Sequence, residues 1–105
     1  DEVYSCHRCF RLVFQHDGNL VVYTTVAPIR HIWHTETHGK GANRACMQHD
    51  GNFVLYTPSD SHVFQTHTHM WPGAYAEMQW DGQFSIWRDG VNRYHSGPIA
   101  PCNSP

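Results

Sequence analysis

The chain has 105 residues, enough for one small domain, and 40% hydrophobic with 15% charged residues is a globular rather than a disordered composition. Seven Lys and Arg against nine Asp and Glu leave a formal charge of −2, so no basic stripe neutralises phosphates and no nucleic acid is expected as a partner. No segment approaches the roughly 20 apolar residues of a membrane span, and nothing at the N-terminus reads as a signal peptide.

In chain order, the first feature is Cys6-His7-Arg8-Cys9, two thiols at knuckle spacing. The remaining cysteines, Cys46 and Cys102, form no second knuckle, so disulfides are expected rather than a zinc site, with the three pairings of the four cysteines open. A staple from Cys102 to Cys6 or Cys9 would tie down both ends and leave Cys46 for the remaining cysteine or a partner chain. Four cysteines in so short a chain also fit an oxidising compartment, and a secreted protein is the expectation.

The next feature organises everything after it. FQHDGNLVVY at 14–23 returns as MQHDGNFVLY at 47–56 and as MQWDGQFSIW at 78–87. The first two segments agree at seven of ten positions, and Gln15, Gln48 and Gln79 are spaced by 33 and then 31 residues. Downstream, Trp33-His34-Thr35-Glu36-Thr37, Phe64-Gln65-Thr66-His67-Thr68 and Tyr94-His95-Ser96 each set an aromatic two residues before a hydroxyl. Three units, approximately 10–40, 43–72 and 74–97, therefore fill a single domain spanning 1–105. Within each unit apolar and polar residues alternate over short runs rich in Val, Tyr, Phe, Trp and Thr, with no sustained helical period. Asp-Gly steps at 17–18, 50–51 and 81–82 are hairpin signals. The expectation is an all-β body with threefold pseudosymmetry whose repeats pack around one core.

Strand periodicity then sorts the first unit. Gln15, Asp17, Asn19, Val21 and Tyr23 fall on one face if the loop His16-Asp17-Gly18, with Gly18 left-handed, preserves parity and sets Gln15 opposite Asn19. Phe14, Leu20 and Val22 point the other way, into the core. Two amides, a carboxylate, a small apolar side chain and a phenol are thereby gathered where packing does not require them. A pyranose presents adjacent hydroxyls that donate and accept, which amides and a carboxylate satisfy in fixed geometry. Shallow sites of this kind gain from being repeated on one body.

The pattern Gln-x-Asp-x-Asn-x-Val-x-Tyr, complete twice, resembles the signature of the monocot mannose-binding (bulb-type, snowdrop-like) lectins, over approximately residues 10–96. The resemblance implies a type II β-prism of three pseudo-symmetric four-stranded antiparallel sheets, mannose or high-mannose glycans bound without metal or cofactor, and a homo-oligomer such as a dimer. Carried over by position, one site is Gln15, Asp17, Asn19, Val21 and Tyr23, and the other Gln48, Asp50, Asn52, Val54 and Tyr56. Family precedent gives the 2-hydroxyl to Asp and Asn, the 3-hydroxyl to Gln and the 4-hydroxyl to Tyr. The third unit departs, with Gln79, Asp81, Gln83, Ser85 and Trp87, and is expected to be degraded or silent. The N-terminus departs as well, since only fourteen residues precede Gln15 where an extra strand or two belongs.

Other readings weigh less. Asp-Gly-Asn is good turn chemistry in its own right, yet that does not explain Gln15, Val21 and Tyr23 recurring in phase. His34, Glu36 and His38 would share a strand face, as would His67 and His69, but the ten histidines read as solvated surface rather than metal ligands. His16 and His49 are expected to point away from the polar face. Protonating all ten histidines would carry the formal charge from −2 to +8, so weaker binding or assembly near pH 5 to 6 is a further expectation. Glycoside hydrolysis needs two carboxyl groups about 5 to 9.5 Å apart, and each unit repeats only one Asp, so no enzyme is expected. The fold alternative is a β-trefoil. The functional alternative is a non-catalytic protein-binding, defence or inhibitor module on the same scaffold.

Overall fold

The computed structural model describes residues 2–5 and 8–97. Ten strands run through them: β1 (Glu2–Tyr4), β2 (Phe10–Phe14), β3 (Leu20–Thr24), β4 (His31–His34), β5 (Arg44–Met47), β6 (Phe53–Tyr56), β7 (His62–Gln65), β8 (Tyr75–Met78), β9 (Phe84–Arg88) and β10 (Val91–His95). They form three antiparallel sheets in the orders β1-β2-β3-β4, β5-β6-β7 and β10-β9-β8, the three faces of a β-prism. Each repeat is one meander, so each sheet is built from neighbours in sequence.

Alternation explains why three such sheets close on one core. Leu20 and Val22, Phe53 and Leu55, and Phe84 and Ile86 occupy the inward positions of the three middle strands and belong to a single apolar cluster. The third strands add Trp33, Phe64 and Tyr94, with Trp33 to Phe64 at 6.1 Å and Phe64 to Tyr94 at 6.5 Å between ring centroids, both edge to face. The aromatic that precedes each hydroxyl in the sequence is thus the piece each repeat contributes to the convergence of the sheets.

The hairpin tips also seat the inter-repeat connections. Gly51 has φ +95, and a Cβ there would fall 2.1 Å from the carbonyl oxygen of Trp71, so only glycine fits. Gly73 N–H donates to His49 C=O at 3.2 Å, and Gly39 N–H donates to Asp17 C=O at 2.9 Å, docking each connection on the tip before it.

Three expectations change. The first sheet has four strands, but the second and third have three among the described residues, because only β2 carries an additional edge strand, β1. The fourteen residues before Gln15 thus accommodate both β1 and β2. Cys46 is an unpaired thiol in the middle of β5, opposite Val54, and joins no cysteine of this chain. Cys9 is buried, and Cys6 and Cys102, on which the terminal staple rests, lie outside the described residues. Finally, β4 ends at His34 and Glu36 takes φ +57, so His34, Glu36 and His38 do not share a strand face. β7 likewise ends at Gln65, before His67 (φ +57) and His69. No group of three or more metal-ligating side chains assembles among the described residues.

Candidate functional site

The three Asp-Gly hairpins share one geometry. Gln15 N–H donates to Asn19 C=O at 2.9 Å and Gly18 N–H to Gln15 C=O at 3.0 Å, with Gly18 at φ +89. The same pair of bonds closes the turns at Gln48 and Gln79. The three-residue loop therefore preserves parity. In each turn the aspartate accepts a backbone N–H two residues on: Asp17 from Asn19 and Asp50 from Asn52 at 2.9 Å, Asp81 from Gln83 at 3.2 Å. One oxygen of every repeated Asp thus holds the turn, and the second is left for another partner.

The residues after the turn divide the units. In the first, Asn19 is buried and its Oδ1 accepts from Thr35 Oγ1 at 3.1 Å and from Thr37 N–H at 3.2 Å. A backbone N–H can only donate, so the carboxamide is fixed with Nδ2 turned to His34 Nδ1 at 3.3 Å. In the second, Asn52 Oδ1 accepts from Thr66 Oγ1 and Thr68 N–H, and Nδ2 donates to Gln65 Oε1 at 3.1 Å. Thr37 and Thr68 reach back because Glu36 and His67, one residue before each, both take φ +57. Their hydroxyls then donate to Gly18 C=O and Gly51 C=O. Each Asn is therefore both a clamp between the middle strand and the connection and a donor with one N–H to spare.

At the other end of the same face, Gln15 Nε2 donates to the Tyr23 hydroxyl, and Gln48 Nε2 to that of Tyr56. Each phenol accepts from its glutamine, so its own proton is available outward. Val21 and Val54 are only 3% exposed yet stand outside the core cluster, forming an apolar floor between the polar ends. A guanidinium lies near each tyrosine ring, Arg11 at 5.3 Å from Tyr23 and Arg44 at 4.9 Å from Tyr56. Arg11 pairs with Glu2 at 3.1 Å and Arg44 with Asp60.

The third unit is organised otherwise. Ser85 Oγ donates to Gln79 Oε1, which ties the glutamine inward. Gln83 Nε2 donates to Gly97 C=O instead of clamping a threonine. Trp87 stands in the place of the tyrosines, and its indole nitrogen is buried with no hydrogen-bond partner among the described residues. Tyr75 occupies the arginine position in register with it.

Two hollows open at the complete units. One, about 130 Å³, is lined by Gln15, Asn19, Val21, Tyr23, His31 and His34. The other, about 720 Å³, includes Gln48, Asp50, Tyr56, Arg44 and Asp60 in its lining. The exposed Asp17 is not in the lining of the first, and the buried Asn52 and Val54 are not in that of the second. His49 also lines the second hollow, contrary to the expectation that it points away. His31, His34, Gln65 and the threonine pairs are the members that pattern reading misses, although their phase in the repeat carries the signal. An apolar groove of about 500 Å³, bordered by Val3, Leu12 and Phe53, shares Arg44 and Cys46 with the second hollow but none of the repeated Gln, Asp, Asn or Tyr side chains.

No family model and no curated protein sequence matches the chain. Solved structures do. A monomeric monocot mannose-binding lectin from Gastrodia elata superposes with a TM-score of 0.80 at 26% identity, covering 94% of this chain and 87% of that one. The mannose-specific snowdrop (Galanthus nivalis) agglutinin, solved with methyl-α-D-mannoside, gives 0.65 at 31% identity over 89% and 83%. A domain-swapped lectin dimer from Mycobacterium smegmatis gives 0.50 at 31% identity over 90% and 85%.

Proposed function

Because the chain belongs to the monocot mannose-binding (bulb-type) lectins, we propose that it recognises mannose or mannose-rich glycans through two hollows, and that the third face is silent. The proposed site at the first hollow is Gln15, Asp17, Asn19, Val21 and Tyr23, and that at the second is Gln48, Asp50, Asn52, Val54 and Tyr56. The observation that carries this reading is the duplication of one arrangement: a clamped Asn, a Gln donating to a Tyr and a Val floor occur together in two units and are all replaced in the third. The spare carboxylate oxygen accepts from a sugar hydroxyl, the spare Asn N–H and the outward Tyr proton donate, and the valine lies under the ring C–H surface. Recognition of this kind is binding without chemistry.

Secretion and a disulfide at Cys9 belong to the same proposal, as does a dimer that doubles the number of hollows on one particle. Sedimentation velocity tests the dimer. The site is tested by calorimetry with mannose and by a glycan array. Two equivalents of mannose per chain are expected, and an array on which no mannosylated glycan is retained defeats the assignment in favour of a protein-binding module.

A further inference from the structure

The two complete units differ at one position facing the clamped Asn. Val21 lies opposite His34 in the first sheet, and Val54 lies opposite Gln65 in the second. Both side chains accept from the Asn Nδ2, His34 through Nδ1 and Gln65 through Oε1. His34 Nδ1 also accepts the backbone N–H of Glu36 at 3.2 Å. Since that N–H can only donate, Nδ1 is the unprotonated nitrogen, and the ring carries its proton on Nε2.

Building on the two-hollow reading, we propose that His34 is a positioning residue that holds Asn19 in its sugar-competent orientation only while the ring is neutral, making the first hollow acid-sensitive and leaving the second, with Gln65, indifferent. A proton on Nδ1 would set three N–H groups against one another. The ring must then turn away or Asn19 must release it, and either removes the bond that aims the spare Asn N–H. Oε1 of Gln65 undergoes no such change.

Charged and titratable groups flank His34 on several elements. On its own strand His31 meets it edge-on at 5.5 Å between centroids. From β3, Tyr23 stands opposite His31, with Arg11 of β2 over its ring and Glu2 of β1 pairing that arginine. The two adjoining loops carry Asp17 and His16, and Glu36 and His38, all exposed, of which Glu36 bonds His34 through its backbone N–H. His62 holds the position of His31 in the second unit, opposite Tyr56, so His31 does not distinguish the hollows and position 34 against 65 does. The third unit has His95 opposite Ser85 but no Asn for it to hold.

The test uses the whole chain with one hollow silenced at a time. With Asp50→Asn, mannose affinity at the first hollow is expected to fall about fivefold to tenfold between pH 7.5 and pH 5.0, in line with one lost hydrogen bond. Adding His34→Gln should reduce that ratio to less than about twofold. With Asp17→Asn, the second hollow should show the flat profile, and Gln65→His should introduce the fall. Without sugar, NMR should show the Asn19 side-chain amide signals moving together with the His34 ring signals, while those of Asn52 stay still. Asn19 signals that ignore the titration of His34, or a His34→Gln chain that keeps the acid loss, would overturn the proposal. Absence of mannose binding at both hollows would instead defeat the proposed function, and the sugar-free NMR measurement still decides the coupling.

Discussion

The second and third sheets share a strand order, a hairpin geometry and a place around the core, yet only the second keeps its amides and phenol set for an outside partner. In the second unit Gln48 donates to Tyr56 and Asn52 holds Thr66 and Thr68. In the third, Gln79 is taken by Ser85 and Gln83 by the carbonyl of Gly97. The aspartate survives in both because it closes the turn in both. A repeated Asp-Gly is therefore evidence of a repeated turn, and the evidence for a site lies in what the amides around it bond to.

The largest effect follows from separating those two duties of the aspartate. Asp17→Asn with Asp50→Asn keeps an oxygen to accept the turn N–H and removes the charge and the acceptor that face outward. Mannose affinity should fall about 10- to 100-fold at each hollow, as expected for a lost hydrogen bond to a charged group. Calorimetry reads the loss, and an unchanged circular dichroism spectrum shows that the turns persist. Affinity within twofold of the parent would return the aspartates to turn chemistry alone.

Next in size is the clamp. Asn52→Ala strands the N–H of Thr68 in buried surroundings and leaves the Thr66 hydroxyl only Thr68 Oγ1 to donate to, which should cost about 1 to 3 kcal/mol in urea unfolding. Gln83→Ala releases one bond to a partly buried carbonyl and should cost less than about 1 kcal/mol. Equal losses would remove the distinction between the units.

The converse change is smaller. Gln83→Asn, Ser85→Val and Trp87→Tyr together restore the pattern of the first two units and free Gln79 from Ser85. A third binding event is expected by titration, with a Kd on the order of 1 mM. No third event, in a chain that folds normally, would place the deficit in the connection after β10, where the first two units supply Thr37 and Thr68.

Much of this is legible in the sequence, for a physical reason. Period-two alternation sorts Val21 from Val22 and Val54 from Leu55, because a hairpin that preserves parity leaves no freedom in which side chain faces the core. The phased aromatics mark Trp33, Phe64 and Tyr94. What stays hidden are side-chain bonds across neighbouring strands, whose partners depend on the register that the loop between them sets. His34 and Gln65 look like unrelated surface residues until β4 and β7 lie beside β3 and β6. That the second and third sheets have three strands among the described residues is hidden too, since edge pairing depends on residues outside the repeat. Cys46 reads as a bridge member because an even number of cysteines suggests pairing, while its place, mid-strand opposite Val54, does not.

Smallest, and confined to alkaline solution, is the effect that separates the third unit's aromatic from the other two. Trp33, Phe64 and Tyr94 are equivalent, but only Tyr94 carries a phenol, and burial raises its pKa above the ordinary 10.0. The unfolded chain therefore ionises this group first as pH climbs through about 10, while the folded chain keeps it neutral. Stability from this source is intact below that pH and is lost through the window up to the raised folded value. Tyr94→Phe keeps the ring against Phe64 and deletes the titration. Unfolding free energies from pH 9 to pH 11 should decline less steeply in the Phe variant than in the parent, the two slopes differing by at most about 1.4 kcal/mol for each step of one in pH. Parallel declines would mean that the phenol reaches water, and that the third corner of the aromatic core is looser than the two formed by Trp33 and Phe64.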